Sequence, residues 1–231
     1  MYKRQAPELL DEAVFGLPEV YESEIKMARL IASPGCYPTS IMLPLIPLLR
    51  EGLVEHSSIS VSSMSGVSGA GRKADLPLIF AEVNESIRSY GLPRHRHLSE
   101  IEQELGKAAG EKVTISFVPH LIPVTAGICT TIFAKLTGDF DRVDEVLRHA
   151  YRNAPFVRLR GAGISPDTKH VTGSNYLDIG WHNDSRTGRV IIQSAEDNLG
   201  KGAAGQAIQS FNLMVGTVSY THLTLPTSVI V

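Results

Sequence analysis

The sequence predicts an α+β domain: a mixed, largely antiparallel sheet with helices on one face. Three features lead there. Short runs with period-two alternation recur along the chain, as half-buried strands require. Stretches with apolar residues at helical spacing lie between them. Two strand-like runs, Tyr176–Trp181 and Val190–Ser194, flank the polar turn Asn183–Gly188 as a hairpin would.

The elements follow in order. Ile25–Ala32 reads as a strand entering a tight turn at Pro34-Gly35. After Cys36 comes an apolar run through Leu49, read as a helix buried on most sides. Pro38 suits its first turn, where no N–H is needed. Pro44 and Pro47 predict a kink or irregular stretch. Ile59–Met64 alternates as a strand and opens into the Gly/Ser loop Ser65–Arg72. A short helix is expected over Leu76–Asn84. Ser99 and Glu102 form a capping-box pattern for a helix ending near Gly106 or Gly110. Val113–Val118 and Ile128–Leu136 read as strands. Asp141–Arg152 has Val143, Val146, Leu147 and Ala150 at helical spacing, and Phe156–Leu159 is a short strand. The last helix, Lys201–Val215, carries Ala204, Ala207, Ile208, Phe211 and Met214 on one face.

Composition narrows the class of function. The 231 residues correspond to about one and a half domains, enough to bury a core without staples. With 22 basic and 24 acidic side chains the net charge is −2, so a nucleic-acid binder built on phosphate contacts is disfavoured. Two cysteines cannot make a disulfide framework, and a reducing, cytoplasmic setting is expected. The uncharged stretch Phe117–Ala134 contains Pro119, His120, Pro123 and Gly127, so it reads as buried strands and no membrane partner is expected. The charged N-terminus has no apolar signal-peptide core.

Four positions could carry chemistry. Cys36 follows a Pro-Gly turn and precedes a helix start, where free N–H groups and the helix dipole favour a thiolate. It reads equally as a nucleophile or as a small buried side chain. Cys129 lies mid-strand and reads as buried. Arg94-His95-Arg96-His97 with Glu100 offers acid/base groups and cations for an anion, or is only a charged lead-in to a helix. His95, His97 and Glu100 could also face one metal ion, as in a metal-dependent hydrolase, though no dense companion set accompanies them. Ser65–Arg72 is Gly-rich but lacks a P-loop lysine and the dinucleotide spacing, and reads alone as a plain loop; Asp197–Gly202 reads alone as a helix-entry turn.

Five motifs together resemble one family. They are Ser33–Thr39, Ser65–Arg72, His95–His97 with Glu100-Ile101, Pro119–Pro123 and Asp197–Ala207. In this order and spacing, from about Phe15 to Gly216, they look like N-acetyl-gamma-glutamyl-phosphate reductase. The resemblance implies a catalytic domain like that of phosphorylating aldehyde dehydrogenases. It implies NADPH-dependent reduction of an acyl phosphate to N-acetylglutamate semialdehyde in arginine biosynthesis, through a cysteine thioester. Carried onto this chain, Cys36 is the nucleophile and His95 the acid/base. His97, Glu100, Arg94 and Arg96 are expected in the substrate pocket, with Ser65 and Gly66 near the cofactor and Asn198 near its nicotinamide end. A small-molecule acyl phosphate and a homo-oligomer are the expected partners.

The chain departs from that pattern in three ways. No Gly-rich dinucleotide turn precedes Cys36, so residues 1–32 read as the end of a cofactor domain, with the catalytic and dimerisation domain over 33–216. Ala126 stands where many relatives carry a basic residue. Met1–Gln5 and residues 217–231 do not fit the family and are expected to be non-native. The remaining alternatives are an aspartate-semialdehyde-type acyl-phosphate reductase, and an inactive fragment or oligomerisation module.

Overall fold

The computed structural model describes residues 6–72 and 74–223. The reading of Met1–Gln5 as foreign, and most of that for the tail, therefore lies outside the described residues.

The N-terminal segment makes a small unit of its own. β1 (Val14–Phe15) and β2 (Ile31–Ala32) pair in parallel, joined through α1 (Pro18–Met27). The strand expected over Ile25–Ala32 is thus mostly wrong: Ile25, Lys26 and Met27 close α1, and of that span Ile31–Ala32 alone pairs as a strand. Pro18 starts the helix, with Glu19 in its first turn and Lys26 in its last, charges that complement the helix dipole.

Next comes α2 (Cys36–Arg50), whose residues 37–49 are all buried. It is one uninterrupted helix despite Pro44 and Pro47. Those prolines lack the N–H groups that would pair with the carbonyls of Ser40 and Leu43. Both carbonyls find other donors: Ser194 Oγ bonds the Ser40 oxygen at 2.7 Å, and the Tyr151 hydroxyl bonds the Leu43 oxygen. Buried backbone oxygens must be paired, and here distant side chains do it.

The main sheet has seven strands: β3 (Ser60–Ser65), β4 (Arg88–Ser89), β5 (Ser116–Leu121), β6 (Ile128–Lys135), β7 (Val157–Ala162), β8 (Leu177–Asp184) and β9 (Arg189–Glu196). Their order is β4-β5-β3-β6-β9-β8-β7. Only β3–β5 and β7–β8 are parallel, so the mixed, largely antiparallel expectation holds. The expected hairpin is β8–β9, closing at Asp184↔Arg189. One row across the sheet runs Phe117, Val61, Ile132, Ile192 and Trp181 by register. These side chains join one buried cluster with α2, α4 (Leu98–Ala109) and α5 (Asp141–Tyr151). Each fully buried Leu or Ile in it contributes on the order of 2 kcal/mol.

Three local expectations change. The helix over Leu76–Asn84 becomes a 3-10 turn, Leu76–Leu78, and a single helical turn α3 (Phe80–Val83). The capping box does not form. Ser99 sits inside α4, and the Glu102 carboxylate instead accepts the N–H of Ile115 at 3.1 Å. The C-terminal helix begins as a π-turn over Gly200–Ala204 and continues as α6 (Gly205–Met214). Its apolar stripe faces outward: Ile208 is 42% and Phe211 59% exposed. Gln206, Gln209, Ser210 and Asn212 are buried instead, because α6 packs on a polar network.

Candidate active site

Cys36 is the first residue of α2, with Gly35 at the N-cap. The backbone N–H groups of Cys36 and Tyr37 favour a thiolate, as a helix start should. Burial opposes them more strongly, and the thiol is pushed up to about 12. The lowered thiol pKa expected from the helix position is therefore reversed. A nucleophilic Cys36 needs a base.

The thiol lines a cleft of about 440 Å³. His95 and His97 line it too, together with Arg94 and Arg96. Ser65 and Gly66 form part of its rim. The two imidazoles meet edge-on, 4.8 Å between centroids, and the backbone N–H of His97 donates to His95 Nδ1 at 3.2 Å. Burial and Arg96 hold His95 down at about 4. Burial, His95 and Arg96 hold His97 at about 3. Both rings are neutral near pH 7. His97 packs flat on Gly35, where a side chain would collide with the imidazole.

Glu100 stands behind the turn and not in the cleft wall. Its Oε2 accepts the Gly35 N–H at 3.3 Å, and burial raises its pKa. His95, His97 and Glu100 therefore do not converge as metal ligands. Among the described residues no group of three His, Cys, Asp or Glu side chains could hold an ion.

The Gly/Ser loop is strapped to the segment 124–127. The N–H groups of Gly66, Val67 and Ser68 donate to the carbonyls of Gly127, Val124 and Thr125 at 3.0, 2.9 and 3.0 Å. They are spent on loop structure and not free to cradle an anion. A Cβ on Gly66 would come within 2.8 Å of the Ala126 nitrogen, so the close approach demands glycine. Asn198 ties the same loops together. Its Oδ1 accepts from the Gly127 N–H at 2.8 Å and its Nδ2 donates to Ser68 Oγ at 2.9 Å. It is buried and holds the rim. The Asp197–Gly202 turn is a helix entry, as one reading of it expected. The Asp197 carboxylate accepts from Leu199, Gly200 and Gly173 N–H groups.

Sequence reasoning missed three groups here. The Tyr37 and Tyr90 hydroxyls pair at 2.9 Å in the cleft wall. Glu196 is fully buried beside Cys36. It was legible as the last member of the inward row Val190, Ile192, Ser194, Glu196 in β9. Lys201, also fully buried, bonds Glu19 of α1 at 2.6 Å and Gln209 of α6 at 2.8 Å, and so locks the N-terminal unit to the site. An ordinary surface lysine has the same sequence signature, so nothing marked it.

The chain is similar to known proteins. The chain is 61% identical over 210 residues to N-acetyl-gamma-glutamyl-phosphate reductase of Akkermansia muciniphila, covering 90% of this chain and 60% of that protein. It is 52% identical over 223 residues to the protein of that name from Pelotomaculum thermopropionicum, covering 96% and 64%. It thus spans about three-fifths of the length of the curated relatives it matches. Aspartate semialdehyde dehydrogenase II from Vibrio cholerae superposes with a TM-score of 0.69 at 18% identity, over 90% of this chain and 69% of that one, a likeness of fold. The family described as semialdehyde dehydrogenase, dimerisation domain, matches residues 36–198, and the chain belongs to that family.

Proposed function

We propose that residues 33–216 form the catalytic and dimerisation domain of an N-acetyl-gamma-glutamyl-phosphate reductase, with residues 1–32 the end of its cofactor domain. One observation carries the reading: a cysteine at a helix start shares a cleft with two neutral imidazoles and two arginines. That set suits attack on an anionic acyl phosphate. The relatives' shared name supports this substrate over an aspartyl phosphate.

In this reading Arg94 and Arg96 hold the substrate's phosphate and carboxylate charges, with charge-assisted bonds. They also answer for Ala126, where no cation stands. His97 shapes the pocket floor against Gly35, and Glu100 fixes that turn through the Gly35 N–H. His95 takes the thiol proton, exchanging its long 3.2 Å bond for it. The sulfur attacks the acyl carbon, the carbon–oxygen bond to phosphate breaks, and phosphate leaves a thioester on Cys36. NADPH, the cofactor that the resemblance implies, would supply hydride for reduction of that carbonyl carbon when bound. The rim fits a flat ring there, since Ser65, Gly66, Gly69 and Ala70 carry only small side chains. Asn198 serves that end indirectly, by holding the rim. When the carbon–sulfur bond breaks, the aldehyde departs and Cys36 recovers its proton from His95.

The reading includes a homo-oligomer, which the dimerisation-domain family supports. It also includes a cytoplasmic setting. Among the described residues no helix is long and apolar enough to cross a membrane. The test uses the intact protein. Cys36→Ser should lower substrate-dependent NADPH oxidation by about 10⁴-fold or more. Undiminished oxidation would overturn the reading. Faster turnover of aspartyl phosphate than of N-acetylglutamyl phosphate would reassign the substrate.

A further inference from the structure

Behind Cys36 lies a carboxyl that the steps above do not use. Glu196 ends β9 on the inward row, fully buried, and neither of its carboxyl oxygens has a hydrogen-bond partner among the described residues. It faces the nucleophile across Gly202. A Cβ on Gly202 would lie 2.8 Å from Cys36 Cβ and 2.9 Å from Glu196 Oε1, so the two groups close over the place where that side chain is missing. They are within one side chain's reach of each other.

The surroundings decide the protonation state. Lys201 attracts a charge on Glu196, while Asp197 and Glu19 repel it. The Lys201 ammonium is already bonded to Glu19 and Gln209. On the other side, Arg96 is the cation that acts on Cys36. An isolated carboxylate in such a place is costly. Burial accordingly pushes Glu196 well above the usual carboxylate range. Its O–H is then a buried donor with no acceptor. Loss of the proton from Cys36 turns the neighbouring sulfur into a strong acceptor.

We propose that Glu196 is a positioning residue for the nucleophile, its carboxyl O–H donating to the Cys36 sulfur whenever that sulfur carries negative charge. Glu196 keeps its own proton throughout, and no bond to it is made or broken. The thiol proton goes to His95 and the sulfur bonds to the acyl carbon as described. Glu196 offers the sulfur a hydrogen bond as thiolate and again as the leaving group from carbon. This rests on Cys36 being the nucleophile.

The test reads Cys36 directly in the 231-residue chain. Iodoacetamide alkylation of Cys36 is followed against pH by peptide mass, with Cys129 as the internal control. Glu196→Leu removes the donor and should slow alkylation of Cys36 about tenfold at pH 8, moving the profile to higher pH by about one unit. Glu196→Gln keeps an N–H donor and should restore the rate to within about threefold. A Leu variant at the parental rate, or a Gln variant as slow as the Leu one, overturns the proposal. Infrared spectra of the unsubstituted chain add a readout if the Leu variant does not fold. A carboxylic-acid band at pH 7, absent from Glu196→Gln and shifting as Cys36 ionises, is expected. Absence of that band overturns the proposal. The two readings fail differently. If the acyl phosphate never acylates Cys36, the nucleophile reading falls and this one with it. If Cys36 is acylated but all three chains share one alkylation profile, only the role of Glu196 falls.

Discussion

Two helices meet behind Cys36, and they are built on opposite principles. α2 is apolar nearly all round and lies in the core, with its proline-orphaned carbonyls served by Ser194 and Tyr151. α6 turns Gln206, Gln209, Ser210 and Asn212 inward and Ile208 and Phe211 outward. Gln206 bonds Thr39 of α2 at 2.8 Å, and Gln209 bonds Glu19 of α1 at 2.9 Å. The first helix is held by burial and its position is forgiving. The second is held by hydrogen bonds around one buried cation, and its position depends on every partner. Cys36 stands where the two meet, with a rigid backbone on one side and a polar wall on the other.

The comparison can be broken most severely at Lys201. Lys201→Met leaves Glu19 buried without its cation, and urea unfolding should show a loss of about 3–5 kcal/mol. A loss under about 1 kcal/mol would mean that α6 does not depend on the network. A smaller effect is expected in α2. Tyr151→Phe uncovers the Leu43 carbonyl and should cost about 1–3 kcal/mol in the same assay. No change would show that the proline gap tolerates an unpaired oxygen. The smallest effect belongs to the outer face of α6. Phe211→Ser should leave the stability of the chain within about 0.5 kcal/mol. A large loss would mean that this stripe is packed after all.

The same contrast explains what could be read from sequence. α2, α5, the β8–β9 hairpin and the sheet class were legible because apolar periodicity reports burial. So was the gathering of Cys36, His95, His97 and the two arginines, through motif resemblance. The orientation of α6 was not, because an apolar stripe and a buried polar network point opposite ways and only packing chooses. The missed capping box has a similar cause: Glu102 had a better partner in Ile115, far along the chain. The thiol's direction of shift differs from the sequence reading because the helix start is visible in sequence, whereas burial of the sulfur is not. Ile25–Ala32 failed for a local reason, since Pro18 sets a helix register that runs through Ile25.

The central claim is that Cys36 attacks an acyl phosphate. The most direct measurement mixes the chain with N-acetylglutamyl phosphate and no reductant, then follows intact mass and free phosphate. One acyl group on Cys36, matched by one phosphate released and absent from Cys36→Ala, is the predicted result. Phosphate release without an adduct, or an adduct that persists in Cys36→Ala, would contradict it.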